Sequence, residues 1–271
     1  MKNAWVTGAS SGIGKELANE LVKRNFRVIA SARTIDETSD LEGENIIKKV
    51  HDVSDYAASE KLFNEITEEY GKIDLLINNA GYGLAGPAVE LPLEQIEKEF
   101  AVNVFGALKL AQLIGKDMAK RREGIIVNIG SVSGMLTTPF ASAYCASKAA
   151  INSFSDGLRM ELRPFGVSVV TVTPGAIVSE FGKNAAKKAE EILPQNSLYE
   201  KYREKILERA RISQVNATPV EKFVKLLLDK VLSGNPPAVF RYGKLSGTVW
   251  FLSKFVPPKL RDAILMKKFG L

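Results

Sequence analysis

Two residue types that build many active sites are nearly missing from this chain of 271 residues: it has one cysteine, Cys145, and one histidine, His51. A single thiol excludes an internal disulfide framework and a multi-cysteine zinc site. A single imidazole leaves no histidine-based metal cluster, so no metal is expected, and a Ser-His-Asp triad would have to use His51 itself. Long apolar runs are also lacking. None reaches the roughly 18–20 residues that a membrane-spanning helix needs. The first residues, Met1-Lys2-Asn3-Ala4-Trp5-Val6-Thr7, run straight into glycines without an apolar leader segment. A reducing, cytoplasmic setting is the expectation. No internal repeat and no low-complexity tract interrupts the sequence.

What is present is an ordinary globular mixture, 45% hydrophobic and 25% charged, with a net charge of +6. That excludes intrinsic disorder. The charge alone is compatible with nucleic acid, an anionic membrane surface, a phosphorylated ligand or no partner at all. Short β-branched runs at 3–7, 27–31, 46–50, 74–78, 125–129, 167–173 and 238–242 read as strands. Several are apolar on consecutive residues, as parallel strands covered on both faces are. Between them lie helical patterns: Leu17, Leu21 and Val22; Leu62, Phe63 and Ile66; Ile96, Phe100, Val104, Leu108 and Ala111. The alternation predicts an α/β fold, a Rossmann-type doubly wound parallel sheet of about seven strands flanked by helices. The expected organisation is one catalytic domain over 1–245, followed by a C-terminal tail at 246–271.

Directly after the first strand stands Thr7-Gly8-Ala9-Ser10-Ser11-Gly12-Ile13-Gly14, and a helical pattern follows. Glycine lets the backbone turn tightly and approach a pyrophosphate. A helix N-terminus offers free N–H groups and partial positive charge. The spacing is G-x-x-x-G-x-G rather than G-x-G-x-x-G, and the flanking strand and helix give it its weight. Folds that prefer NAD carry an acid at the end of the second strand. Here that strand ends Ser31-Ala32-Arg33, with no acid and a guanidinium suited to phosphate. NADP(H) is therefore the expected cofactor, with Ser10 as a second contact; Asp36 and Glu37 are assigned to the following loop.

Tyr144 and Lys148, four apart in a helix-compatible stretch, share one helix face. Ser131 lies after the fifth strand. A tyrosine titrates near pH 10; a neighbouring ammonium favours the phenolate, so the pair can move a proton to or from a carbonyl oxygen. Thr7 to Gly14, Asn78-Asn79-Ala80-Gly81, Ser131, Tyr144-x-x-x-Lys148 and Pro174-Gly175 occur in one order. That set resembles the classical short-chain dehydrogenases/reductases over roughly residues 3–180. The resemblance implies Tyr144 as acid/base and Lys148 as the group that lowers its pKa and holds the nicotinamide ribose. It implies Ser131 on the substrate oxygen and Asn103 holding a proton-relay water. For the cofactor it implies Gly8, Ser10, Ser11, Gly12, Ile13, Gly14 and Arg33 with Asp52, Val53, Asn79, Ala80, Gly81, Tyr144, Lys148, Pro174, Gly175, Ile177 and Ser179. The family commonly has Thr where Ser179 stands. Ser131-Val132-Ser133-Gly134, Pro139-Phe140, Arg163-Pro164-Phe165-Gly166 and Gly81-Tyr82-Gly83 resemble its 17β-hydroxysteroid-dehydrogenase-like branch. Cys145 reads as a packed residue and His51 as structural.

Two segments depart from the strand–helix rhythm. The charged, helix-prone stretch 183–215 occupies the place of the family's substrate lid. The tail interleaves Trp250, Phe251, Leu252, Phe255, Leu260, Ile264, Leu265 and Phe269 with Lys254, Lys259, Arg261, Lys267 and Lys268, against the single acid Asp262. It reads either as a helix packed on its own domain or a partner subunit, or as an interfacial anchor peripheral to a membrane. The expected activity is an NADP(H)-dependent interconversion of a ketone and a secondary alcohol on a bulky apolar, steroid- or lipid-like small-molecule substrate. Phe140, Tyr82, Leu84 and Met135 are the expected pocket lining. One rival is a membrane-surface lipid ketone reductase, such as one for acyl-dihydroxyacetone phosphate, with Lys183, Lys187 and Lys188 on the phosphate. Another is a non-catalytic NADP(H)-binding sensor. No nucleic-acid stripe is present. The family resemblance implies a homo-oligomer.

Overall fold

A computed structural model describes residues 1–35, 41 and 43–271. Asp36 and Glu37, assigned above to a loop, lie outside the described residues. The chain runs β1 (Lys2–Thr7), α1 (Gly12–Lys23), β2 (Phe26–Ala32), β3 (Ile46–Val50), α2 (Tyr56–Tyr70), β4 (Leu75–Asn78), α3 (Leu93–Phe100), α4 (Ala107–Arg121), β5 (Gly124–Ile129), α5 (Ser142–Leu162), β6 (Val167–Pro174), α6 (Phe181–Ile192), α7 (Arg203–Arg211), α8 (Val220–Val231), β7 (Val239–Tyr242), α9 (Ser246–Phe255) and α10 (Pro258–Phe269). The seven strands form one sheet in the order β3-β2-β1-β4-β5-β6-β7. Every pairing is parallel. All seven expected strands are present, with ends moved by a residue.

Both faces of the sheet's centre are covered, which is why several of its strands are apolar residue after residue. On one face Leu17 and Leu21 of α1 and Phe223, Val224, Leu227 and Leu228 of α8 pack on Val6, Val28, Ile77 and Val170. On the other, Leu62 and Ile66 of α2, Leu110, Ile114 and Met118 of α4, and Leu158 and Leu162 of α5 pack on Trp5, Ile29, Leu76 and Ile126. Each fully buried Val, Leu, Ile, Phe or Met side chain among them contributes about 1.5–3 kcal/mol.

One helical expectation shifts. The series Ile96, Phe100, Val104, Leu108, Ala111 assumed an uninterrupted helix. A π-helical turn over Ala101–Gly106 instead joins α3 to α4. The extra residue rotates the buried face, so beyond the turn Leu110, Ala111, Ile114 and Met118 are buried and Leu108 is only partly so. Gly106 completes this turn against the loop after β3, where a Cβ would come 2.6 Å from the Val53 carbonyl oxygen.

The strand order reverses between β1 and β4, and loops at their C-terminal ends part to leave a crevice, the usual ligand site of such a sheet. Thr7 closes its floor: its Oγ1 accepts from the backbone N–H groups of Asn79 and Ala80, both at 3.0 Å. No helix among the described residues is long and apolar enough to cross a membrane.

Candidate active site

The glycine loop between β1 and α1 is shaped by close approach. Gly8 and Gly12 hold φ of +64° and +53°, a left-handed region that costs other residues strain. A Cβ on Gly14 would collide with the Gly8 carbonyl oxygen and the Asn79 side-chain nitrogen. Asn79 Nδ2 donates to the carbonyl oxygens of Thr7 (2.9 Å) and Gly8 (3.1 Å), which pins the loop to the end of β4. The result is a cleft lined by Gly8, Ser10, Ser11, Gly12, Ile13, Arg33, Asp52, Val53, Asn79, Ala80, Gly81 and Ser179. Gly14 stands behind this wall and permits it. The loop is a cradle that side chains would fill, at a helix N-terminus, with Arg33 on its rim. These residues fit a phosphorylated dinucleotide. Asp52 accepts from the Ser54 N–H (2.9 Å) and hydroxyl (2.6 Å). Those bonds, with Arg33 nearby, hold its carboxyl below the usual range despite the opposing effect of burial.

The second half of the site is built on α5 and the turn after β5. Lys148 is 5% exposed and donates from Nζ to the Ile129 carbonyl at 2.8 Å. Its ammonium lies 6.0 Å from the Tyr144 ring centroid. Burial pushes Lys148 down to about 8, opposed by Glu99. Ser131 caps the short turn Val132–Gly134, accepting from the Ser133 N–H at 3.0 Å. Burial pushes the Tyr144 phenol up; a hydrogen bond with Ser131 pulls it down most, followed by the Arg209 guanidinium. Asn103 sits in the π-helical turn and bridges two elements. Its Nδ2 donates to Ser147 Oγ on α5 at 3.0 Å and to the Tyr82 carbonyl at 2.9 Å. A Cβ on Gly81 would lie 3.0 Å from Asn103 Oδ1 and 3.5 Å from Lys148 Nζ. Asn103, Gly81 and Lys148 are therefore direct neighbours.

A cavity of about 400 Å³ opens over Ser131, Tyr144 and Lys148. It shares Ile13, Asn79, Gly81, Ser179 and Phe181 with the glycine-loop cleft, while Pro174, Gly175 and Ile177 form part of its wall. Gly175 donates to the Tyr242 carbonyl at 2.9 Å, and a Cβ there would collide with the Lys244 carbonyl oxygen. Ser179 is clamped by Gln214, whose Oε1 accepts from its N–H at 3.2 Å. Phe181, at the start of α6, places its ring 5.4 Å from that of Tyr144.

A scan against family models matches residues 2–190 to the short chain dehydrogenase family. The chain belongs to that family. The short-chain dehydrogenase is 32% identical to a short-chain dehydrogenase from Pyricularia oryzae, across 100% of this chain and 95% of that one. It is 34% identical to the NADPH-dependent 1-acyldihydroxyacetone phosphate reductase of Saccharomyces cerevisiae, across 100% and 92%. A short-chain dehydrogenase structure from Streptomyces avermitilis superposes with a TM-score of 0.80 at 25% identity, covering 100% of this chain and 98% of that one.

Several expectations about the substrate side are corrected by placement. Of the four expected lining residues only Leu84 borders the cavity. Tyr82 faces the glycine-loop cleft. Phe140, at φ +63°, turns away to pack against Tyr199, Tyr202 and Phe269. Met135 is half-buried elsewhere, and its neighbour Leu136 lines the wall instead. Lys183, Lys187 and Lys188 are outside the cavity, because α6 buries Gly182, Ala185, Ala186 and Ala189 and turns its lysines away. Lys183 pairs with Glu180 and Lys188 with Glu191.

The short-chain dehydrogenase also has wall residues that the sequence reading overlooked. Arg209 of α7 enters the cavity, as do Leu252 of α9 and Leu265, Lys268 and Phe269 of α10. Arg209 belongs to the charged stretch 183–215, expected as a substrate lid without any single wall residue being singled out. Its spacing of three from the buried Ile206 is the signal that could have found it.

Proposed function

We propose that this chain is an NADP(H)-dependent oxidoreductase that interconverts a ketone and a secondary alcohol on a bulky apolar substrate. One observation carries the reading: Ser131, Tyr144 and Lys148 meet under a largely apolar cavity that joins the glycine-loop cleft. The residues expected to hold the cofactor are those of the cleft, with Arg33 and Ser10 at the 2′-phosphate and Lys148 at the nicotinamide ribose. The bound nicotinamide supplies or accepts the hydride. The chain's own task is alignment and proton movement. Ser131 orients the carbonyl oxygen by a hydrogen bond. Tyr144 donates a proton to that oxygen during reduction and removes it during oxidation. Phe181 and the α7 segment shield the site from water, and Asn103 fixes the neighbouring loop.

The NADPH dependence of the yeast relative agrees with the absence of an acid at Ala32 and with Arg33 on the cleft rim. A full set of catalytic groups on one wall favours an enzyme over a cofactor-binding sensor. An assay following NADPH oxidation over steroid, retinoid, long-chain keto-acyl and sugar carbonyls tests the reading. Turnover of the apolar ketones supports it; turnover of sugars alone, or of none, contradicts it.

A second reading, a lipid ketone reductase working at a membrane surface, has its own support. The yeast relative covers the whole chain. Phe251, Phe255, Leu260, Ile264 and Met266 of α9 and α10 are exposed among lysines, a composition suited to the interface of an anionic bilayer. Co-sedimentation with anionic vesicles that is lost in Phe251→Glu/Phe255→Glu supports this reading, and absence of binding by the unaltered chain contradicts it. Homo-oligomerisation remains part of the proposal through family resemblance.

A further inference from the structure

Arg209 is the most unusual charge in the cavity. It is 8% exposed. Its Nε donates to Thr138 Oγ1 at 2.6 Å. Its other neighbours include the Cys145 side chain and the Tyr144 phenol. Among the described residues no carboxylate pairs with it. A buried cation without a counter-charge is costly, by several kcal/mol in general, and persists where something else compensates it. The remaining N–H groups of the guanidinium belong to a residue that lines the cavity.

The cavity as a whole has the same bias. Lys148, Arg209, Lys244 and Lys268 all line it, and no Asp or Glu does among the described residues. Lys148 is held by Ile129, and Lys244 and Lys268 stand toward α9 and α10. Arg209 is the one of the four that comes from α7. A planar guanidinium presents a fork of donors matched to a carboxylate or phosphate.

We propose that Arg209 is a specificity-determining residue that binds an oxyanion, carboxylate or phosphate, carried by the apolar ketone substrate. This deepens the reading of the site as a ketone/alcohol oxidoreductase and rests on it. The apolar wall from Leu84, Leu252 and Leu265 takes the hydrocarbon, Tyr144 meets the carbonyl, and Arg209 reads the charged end. The lysines of α6, which lie outside the cavity, have no part in it.

The test compares matched substrate pairs on the NADPH-loaded full chain. One pair is a long-chain keto acid and its methyl ester; the other is 1-acyldihydroxyacetone phosphate and its dephosphorylated form. Arg209→Met keeps side-chain length while removing the charge, and Arg209→Lys keeps the charge without the fork. The quantity read is the ratio of kcat/KM, charged over neutral, within each pair. The expected result is a fall in that ratio of about ten- to hundredfold in Arg209→Met, as loss of a charge-assisted hydrogen bond produces, with a smaller fall in Arg209→Lys. The pair that responds identifies the anion.

Unchanged ratios with active neutral ketones would overturn this inference and leave the oxidoreductase reading standing. An equal fall for both members of each pair, with the basic limb of the pH profile moved upward, would show Arg209 tuning Tyr144 instead, and would also overturn it. Turnover of none of the four ketones by the unaltered chain would fail the underlying reading first.

Discussion

Asn103 holds Tyr82 from both sides: its Oδ1 accepts from the Tyr82 N–H at 3.0 Å and its Nδ2 donates to the Tyr82 carbonyl at 2.9 Å. The same Nδ2 reaches Ser147, so one carboxamide ties the loop after β4 to the helix that bears Tyr144 and Lys148. Asn103→Leu should leave these buried partners unsatisfied. The expected loss is about 1–3 kcal/mol of stability, with kcat falling more than KM rises. Thermal melting and steady-state kinetics read both. An unchanged kcat would show that the loop holds its place without the clamp.

Arg33 lines the rim of the glycine-loop cleft, and Ala32 before it is buried. Arg33→Asp replaces a phosphate ligand by a group that repels phosphate and can accept from a ribose hydroxyl. The ratio of kcat/KM for NADPH over NADH should fall by at least about tenfold. An unchanged ratio would remove Arg33 from cofactor choice.

Glu99 is fully buried on α3, accepts from the Leu84 N–H at 2.9 Å, and leaves its second oxygen without a partner. Burial pushes its carboxyl up to about 8, opposed by the Leu84 bond and by Lys148. Between an ordinary carboxylate value and about 8 the folded protein keeps a proton that the unfolded chain has lost. The stability linked to Glu99 is therefore fully present at low pH and is lost as the pH rises toward 8. Its slope is at most about 1.4 kcal/mol per pH unit. Glu99→Gln keeps an acceptor for Leu84 and removes the titration. Melting temperatures of the two proteins from pH 5.5 to pH 7.5 should diverge in favour of the variant. Parallel curves would contradict this account of Glu99.

Much of this arrangement was legible in residue patterns, and the exceptions have physical causes. The inner strands were readable because a parallel sheet covered on both faces demands consecutive apolar residues; the edge strands β3 and β7 are only partly buried and showed as short runs rich in Ile, Val and aromatics. The glycine loop was readable because Gly8, Gly12 and Gly14 occupy places where a side chain collides or strains the backbone. The π-helical turn at Asn103 was not, since inserting one residue into a helix leaves no mark on composition. The substrate wall was read least well. Phe140 was expected in the pocket because it is aromatic and near Tyr144, yet tertiary packing draws it to Tyr199 and Phe269. Lysines on α6 were expected to meet an anion because they are cationic, yet their helix face is set by its alanines. Arg209, one charge among many on α7, reaches the cavity because Ile206 and Ala210 bury the same face.

The proposed chemistry depends most on Tyr144 as the proton donor and acceptor. The decisive measurement is Tyr144→Phe, with NADPH binding followed by fluorescence and turnover followed by NADPH oxidation on the best ketone of the screen. The account predicts cofactor binding kept close to that of the unaltered chain and kcat reduced at least about a hundredfold. Turnover retained at near the original kcat would contradict it.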